Sequence, residues 1–383
     1  MRSKSVFVLV LFLNSFMASA QDEIEPLSRS DSLYLFNDAD QSSRVQFSAN
    51  AKFASKASAV VGTYAPAVTD RSAESLAKSA QQFLLLLNDK QREHVLYELD
   101  SQERSAWTNL PARGTAGGIR LGDMTEDQVK AVCELLAHVL SPQGYEKMRL
   151  IMIADDQLLR NGQSRPGFGT EYFSVVIFGK PSLNELWAIQ LDGHHLGLNV
   201  AVKADQITIA PSFIGTQPVK FKFDGQDIQP MQYEVEAAFQ LVNELTEEQF
   251  KKAVVSEKRG RIQTGPGRDG QKLKRQGISC SEFNKKQKSK LMVLIAAWVG
   301  NLPAKRAKQR MIEIESEIDQ MTFAWHGFRK PDSDVSYSIQ SPSLIIEFAF
   351  QDLGGNPLQH LHTQYRNPKN DYGSSYQRME QGQ

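Results

Sequence analysis

The chain predicts an α+β fold: an antiparallel sheet assembled from a middle and a C-terminal strand set, with helices packed around it. Three observations carry that expectation. Apolar residues recur near helical spacing through residues 49–161, whereas runs rich in Val, Ile, Phe and Trp occupy about 170–215 and again 321–366. Within each strand-rich block the connections are short, which makes neighbouring strands antiparallel. Five of the seven histidines fall in these blocks, as His194-His195, His326 and His360-Leu361-His362. For the outer groups to share a site, both blocks must belong to one sheet or to two packed sheets.

The first twenty residues read as a secretory signal. Arg2 and Lys4 precede an apolar run from Val6 to Met17, and Ala18-Ser19-Ala20 forms a small-residue cleavage site before Gln21. The run is shorter than the roughly 20 apolar residues of a membrane helix, and nothing later in the chain supplies one. The mature protein is therefore expected to be secreted or periplasmic, without a membrane span. Loss of Arg2 and Lys4 takes the 44 basic residues to 42 against 44 acidic, a near-neutrality that argues for no particular partner. Residues 21–47, polar and acidic and without period, read as a mobile leader. A single α+β domain is expected over residues 48–376.

Helices open the domain. Leu84, Leu87, Val95, Val129, Val132, Leu135, Leu136 and Val139 are among the periodic apolar positions, and capping boxes mark helix starts at Asn88-Asp89-Lys90-Gln91, Thr125-Glu126-Asp127-Gln128 and later Thr246-Glu247-Glu248-Gln249. The recurrence of an apolar residue, a cap and Gln reads as a helix-start grammar and not as a proven repeat. Strands are expected at Tyr172 to Phe178, Leu186 to Val202 with a break at Asp192-Gly193, and Gln206 to Phe213. Helix returns from Tyr233 to about Val255.

The stretch from Lys251 to Lys290 carries thirteen Lys or Arg against three acids. It could bind a polyanion. The reading favoured is a solvated, mobile basic loop over 260–277, because no aromatic side chain lies between Arg259 and Ile278 to stack on bases; no nucleic-acid partner is expected. Helices resume at Phe283 to Val299 and Ala304 to Gln320, split by Gly300-Asn301-Leu302-Pro303. Strands follow at Met321 to Gly327, Val335 to Gln340, Leu344 to Phe350 and His360 to Tyr365.

On an extended strand, side chains two apart point the same way, so His360 and His362 can converge on one ion or substrate. His194 and His195 point oppositely on a strand, and one of them is expected to join. Three neutral imidazoles, or two with a carboxylate, suffice for zinc, copper or non-haem iron with an open position. His195, His360 and His362 are the metal-ligand candidates, with Glu347 as general base or fourth ligand and His194 as a ligand-binding residue. Against metal stand the missing markers: no Glu follows His362 within four residues, and no His-Glu-x-x-His or Cys-x-x-Cys occurs. Arg366, beside Asn367, Asn370, Asp371 and Tyr372, can clamp an anion or fix the C-terminal turn.

Other chemistries find little support. There is no Gly-x-Ser-x-Gly elbow and no glycine-rich phosphate loop. Cys133 and Cys280 permit one disulfide, but Cys133 among Ala131, Val132, Leu135 and Leu136 reads more readily as a small buried residue.

Taken together, several segments resemble the family called domain of unknown function 3500. They are Glu103-Arg104 with Trp107 and Pro111-Ala112-Arg113-Gly114; Phe178-Gly179-Lys180-Pro181-Ser182; Gly193-His194-His195-Leu196; Gly300-Asn301-Leu302-Pro303; Phe323-Ala324-Trp325; and His360-Leu361-His362 with Arg366 and Asn370-Asp371-Tyr372-Gly373. The resemblance spans roughly Gln81 to Gly373. It implies an exported, single-domain family without an established function, and adds Arg104, Trp107 and Arg113 to the candidates. The chain departs from the family's pattern at Asn367, where Asp is usual.

The sequence thus points to an exported protein with a histidine-rich polar cleft. The leading expectation is a metal-assisted hydrolase or oxidoreductase with Glu347, Arg366 and Arg113 in catalytic roles and His194, Trp107, Arg104 and Asp371 binding a small ligand. The alternative is a non-catalytic small-ligand-binding protein using the same cleft, with Trp107, Trp187 and Trp325 as apolar walls. Substrate, metal identity and oligomeric state are not encoded legibly.

Overall fold

The structure is a computed structural model that describes residues 38, 44–48, 50–111, 117–160, 167–330, 332–353 and 355–380. The expected secretory signal and most of the leader lie outside the described residues. Helices α1 (Lys56–Thr63), α2 (Ala73–Leu86) and α3 (Asp89–Val95) lead into short strands β1 (Leu96–Tyr97) and β2 (Ile119–Arg120). Helices α4 (Glu126–Val139) and α5 (Pro142–Arg160) follow. The three expected capping boxes form, and a fourth, Asn284 with Gln287, was not singled out in the sequence. Helix α5 starts on Pro142, whose fixed φ suits a first helical position, and is buried on nearly all sides. Its polar residues are matched inside: Arg149 with Glu146 at 2.6 Å and Lys147 with Glu234 at 2.5 Å. Unpaired, such charges would be costly to bury.

Strands β3 (Ser174–Phe178), β4 (Trp187–Gly193), β5 (Leu196–Lys203), β6 (Gln206–Thr208) and β7 (Ser212–Thr216) come next, then a separate hairpin, β8 (Phe221–Phe223) and β9 (Gln226–Ile228). The remainder runs α6 (Gln232–Val242), α7 (Glu247–Ala253), β10 (Val254–Ser256), β11 (Ile278–Ser279), α8 (Lys285–Val299), α9 (Ala304–Glu315), β12 (Thr322–His326), β13 (Ser336–Gln340), β14 (Ile345–Phe350), β15 (Leu361–Arg366) and α10 (Ser374–Glu380). The main sheet of the described residues has 13 strands, ordered β1-β3-β4-β5-β7-β15-β14-β13-β12-β10 with β2, β6 and β11 as side branches. The two strand sets therefore meet in one sheet, at β7 and β15. It is mostly antiparallel and not purely so, because β1 and β10 lie parallel to β3 and β12 at the two outer edges.

The sheet is internally duplicated. Val175, Leu191 and Leu198 form a cross-strand row in β3–β5, and Phe323, Ile339 and Ile346 form the same row in β12–β14 at one constant sequence offset. Ile119 of β2 pairs with Val175 as Ile278 of β11 pairs with Phe323, both antiparallel. The parallel edges correspond as well, Leu96 on Ile177 and Val254 on Trp325. Next along each row stand Ser212 and Tyr365, which pair with each other, so a pseudo-twofold axis passes through that pair. Capping glutamines obey the same symmetry. Gln128 donates to Gln91 at 2.9 Å in one half, and Gln287 donates to Gln249 at 2.7 Å in the other. The recurring cap grammar thus belongs to a structural repeat, which the caps by themselves did not prove.

One sheet face is apolar and meets the helices, with Trp325, Tyr337 and Phe348 stacked at 5.9 and 4.7 Å between ring centres. Trp187 and Trp325 are fully buried core residues and wall no cleft. The opposite face carries Asp192, Gly197, Phe213, Gln364, Glu347 and Ser338 in one row. Two connections cover it: residues 98–111, which follow β1, and residues 257–277 between β10 and β11. Trp107 lies over Gly197, where a side chain would collide with the indole at 2.4 Å. Both cysteines are free and buried. Among the described residues no helix is long and apolar enough to cross a membrane.

Candidate metal centre

His194 and His195 are not strand residues. The hairpin β4–β5 closes between Gly193 and Leu196, which places both histidines in its two-residue turn rather than a break at Asp192-Gly193. His195 takes a left-handed φ of 69°, a conformation that costs a non-glycine residue on the order of 1 kcal/mol. The turn is held from outside: His195 N–H donates to the Asn109 carbonyl at 3.1 Å, and its carbonyl accepts from Gly215 N–H at 2.7 Å. His360 caps a 3-10 turn (Pro357–Gln359) just before β15, and His362 is on β15 opposite Gly215.

These three imidazoles meet. His195 Nε2 is 2.7 Å from His360 Nε2, which is 2.9 Å from His362 Nε2. Gly215 makes the approach feasible, because a Cβ there would stand 2.6 Å from the Leu361 carbonyl, 3.1 Å from His362 Cδ2 and 3.2 Å from His195 Cδ2. Burial pushes the His360 pKa down to about 4, partly opposed by its bond to the Leu353 carbonyl. Burial, and then the neighbouring imidazoles, hold His195 and His362 well below the ordinary value. All three rings are therefore neutral at pH 7. A carbonyl can only accept, so His360 Nδ1, 2.6 Å from Leu353 O, carries the proton and Nε2 presents its lone pair to the cluster.

The donor set fits a metal ion. Three neutral imidazole nitrogens are a borderline-soft set suited to zinc or copper, and their ligating atoms lie within 4.8 Å of one another. A tetrahedral ion with bonds of about 2.0–2.1 Å spaces its ligands by roughly 3.3 Å, slightly wider than these nitrogens stand. His195 and His360 are buried and His362 is partly exposed, so the approach from solvent is on the His362 side.

His194 joins from behind. Its ring lies 3.7 Å from that of His195 and 4.6 Å from Phe168 on its other face, while Nδ1 donates to Asp155 Oδ1 at 2.5 Å. Asp155 Oδ2 accepts Gly169 N–H at 2.6 Å. Asp155, His194 and His195 also form a close group, but there the His194 and Asp155 atoms are already bonded to each other.

The matching family model is described as Protein of unknown function (DUF3500) and covers residues 69–374. The chain belongs to that family. No curated protein and no solved structure matches the chain.

Glu347 shares the sheet face of His362 but stands opposite Gln364, one strand away, and is not within ligating reach of the histidines. It holds the basic segment instead, accepting Gln263 N–H at 2.8 Å, Thr264 N–H at 2.9 Å and the Thr264 hydroxyl at 2.5 Å. Burial raises its pKa and those bonds oppose the rise. Thr264 is fully buried, so the segment 260–277 is anchored on the sheet at this point and is not a wholly solvated excursion.

Arg366 forms ion pairs with Asp269 and, at 3.5 Å, with Asp371; its charge is already matched and it is no open anion clamp. Burial raises the Asp371 pKa to about 6, with Arg366 opposing. Arg104 and Trp107 both close on Tyr372, the former on its carbonyl and the latter donating from Nε1 to its hydroxyl at 2.8 Å. Asn367 N–H donates to Asp371 at 2.9 Å within the C-terminal turn, away from the imidazoles. Arg113 lies outside the described residues. His326, at the end of β12, takes no part.

The sequence did not single out Asp155, Gly215 or the Leu353 carbonyl. Asp155 sits on a helix where only tertiary packing makes a carboxylate useful, and the other two act through backbone. Three buried polar atoms of this face, Asp192 Oδ1, Gln364 Oε1 and Arg366 Nε, have no hydrogen-bond partner among the described residues.

Proposed function

We propose that this protein is an exported metal-dependent hydrolase in which His195, His360 and His362 hold one divalent ion of zinc or copper type. The observation that carries the reading is the convergence of three neutral Nε2 atoms, one with its tautomer fixed by Leu353. When bound, such an ion lowers the pKa of coordinated water toward neutrality. Iron is less favoured because its usual set includes a carboxylate, and Asp155 is engaged with His194. The orphaned atoms of Gln364, Arg366 and Asp192 face the same side of the sheet and favour a polar substrate that both donates and accepts hydrogen bonds.

Metal analysis of purified protein, grown with adequate Zn, Cu, Fe and Mn, tests the first half of the proposal. One equivalent per chain is expected, falling below a tenth in His362→Ala and in His195→Asn, the latter chosen because Asn tolerates the left-handed backbone. Absence of stoichiometric metal, with no thermal shift on adding zinc or copper, sinks it. A non-catalytic small-ligand-binding protein is the competing reading, favoured by Glu347 being committed to the covering segment rather than to catalysis. Metal-loaded protein that turns over no ester, phosphoester or amide in a broad panel would favour that reading.

A further inference from the structure

The pseudo-twofold axis assigns the histidine centre a counterpart. Continuing the constant offset, His195 answers to Ser343; counting back from the Ser212–Tyr365 pair, His362 and His360 answer to Ile209 and Ile207. All three counterparts line one cleft of about 500 Å³ between β6, the β13–β14 turn, α9 and the C-terminal turn. Helix α9 closes it as the end of α5, through Asp155, backs the histidines.

We propose that this cleft is a second ligand site, which takes an uncharged polyhydroxylated molecule of mono- or disaccharide size. It lies within the range of about 300–1,000 Å³ typical of small-ligand sites. Its chemistry differs from that of its twin: isoleucine stands at two of the imidazole positions and serine at the third, so no imidazole donor set lines it.

The charges along the cleft are matched within the protein. Arg310 pairs with Glu313 at 3.0 Å, Lys369 with Glu317 at 2.7 Å, and Arg306 with Asp205 at 3.1 Å, a carboxylate it shares with Lys305 at 3.4 Å. An ionic ligand would have to compete with these partners, whereas a neutral one need not. Gln206, Gln309 and Asn367 add side-chain amides to the wall, and an amide both donates and accepts, as sugar hydroxyls require. The proposal stands on the cleft and the duplication and does not rest on the metal reading.

Calorimetric titration of the full chain, stripped of metal with EDTA, tests it with glucose, galactose, N-acetylglucosamine, maltose and lactose as neutral probes and glucuronate and phosphate as charged ones. Saturable binding of at least one neutral sugar is expected, unchanged in His362→Ala and weakened more than about tenfold in Ser316→Trp, where an indole would be added at an exposed position on the cleft wall. Gln309→Trp, at another exposed position, repeats the test should the first variant fold poorly. The proposal is overturned if no neutral sugar binds at millimolar concentration, if a charged probe binds more tightly than every neutral one, or if both folded tryptophan variants bind as the parent does.

Discussion

At the scale of single residues, the centre depends on keeping three imidazoles uncharged. His360 takes up a proton near its ordinary value of 6.5 when unfolded but only at about 4 when folded. Between those values the unfolded chain binds more protons, so this residue's contribution lowers stability as pH falls from 6.5 and levels off below 4. Replacing it removes that slope. The stability of His360→Asn relative to the parent should therefore shift in the variant's favour on acidification, by on the order of 3 kcal/mol across the window. Denaturant unfolding of both proteins in metal-free buffer at neutral and acidic pH measures the difference. A pH-independent gap would show that the imidazole is not held neutral by burial. Sequence made the His360–His362 pair legible because extended backbone turns residues two apart to one side, but it could not show that His195 would reach them through a turn. The decisive geometry there is a positive φ and a glycine in another strand.

Among the elements, the segment between β10 and β11 departs most from expectation. Its charge run suggested solvent, whereas Glu347 fastens its middle, Asp269 joins Arg366, and Gly260 N–H donates to Ser336 at 2.8 Å. Sequence pattern fails for such a segment because its order comes from partners on distant strands, not from any period of its own. Glu347→Gln should cost about 1–3 kcal/mol, since one oxygen acceptor becomes a donor facing donors, and should open residues 260–277 to limited proteolysis. Metal content should be unchanged. Loss of metal in that variant, with the segment still protected, would restore Glu347 to the ligand role its sequence context suggested. The longer strands were readable because β-branched and aromatic runs bounded by turn residues carry that signal locally. The single strand expected over Gln206 to Phe213 is instead split into β6 and β7, and two- and three-residue strands such as β1, β2, β10 and β11 are too short to show a period.

Across the whole molecule, the two strand sets are joined at β7–β15, and the histidine centre bridges the β4–β5 turn and β15 beside that junction. A bound ion would tie both halves. At a hundredfold excess over Kd it should add about 2.7 kcal/mol to stability, and hydrogen exchange should slow in β4–β5 and β15 together. Protection confined to one strand set would mean that the ion is held elsewhere. The duplication was illegible in sequence because most equivalent strand positions keep little beyond their apolar character, Val175 answering to Phe323 and Leu198 to Ile346. The caps kept recognisable residues, since a helix start tolerates few alternatives, as did Gly118-Ile119 and Gly277-Ile278, where both glycines take a positive φ.

The Ser212–Tyr365 pair has a consequence for how this protein can change. Two separate copies of a half-length chain, joined edge to edge across such a pair, would carry identical clefts, and any substitution would strike both at once. With both halves written into one polypeptide, that obligation is gone: histidines can gather at one position while isoleucines occupy its counterpart. The fold is in effect a dimer that has lost its duty to be symmetric.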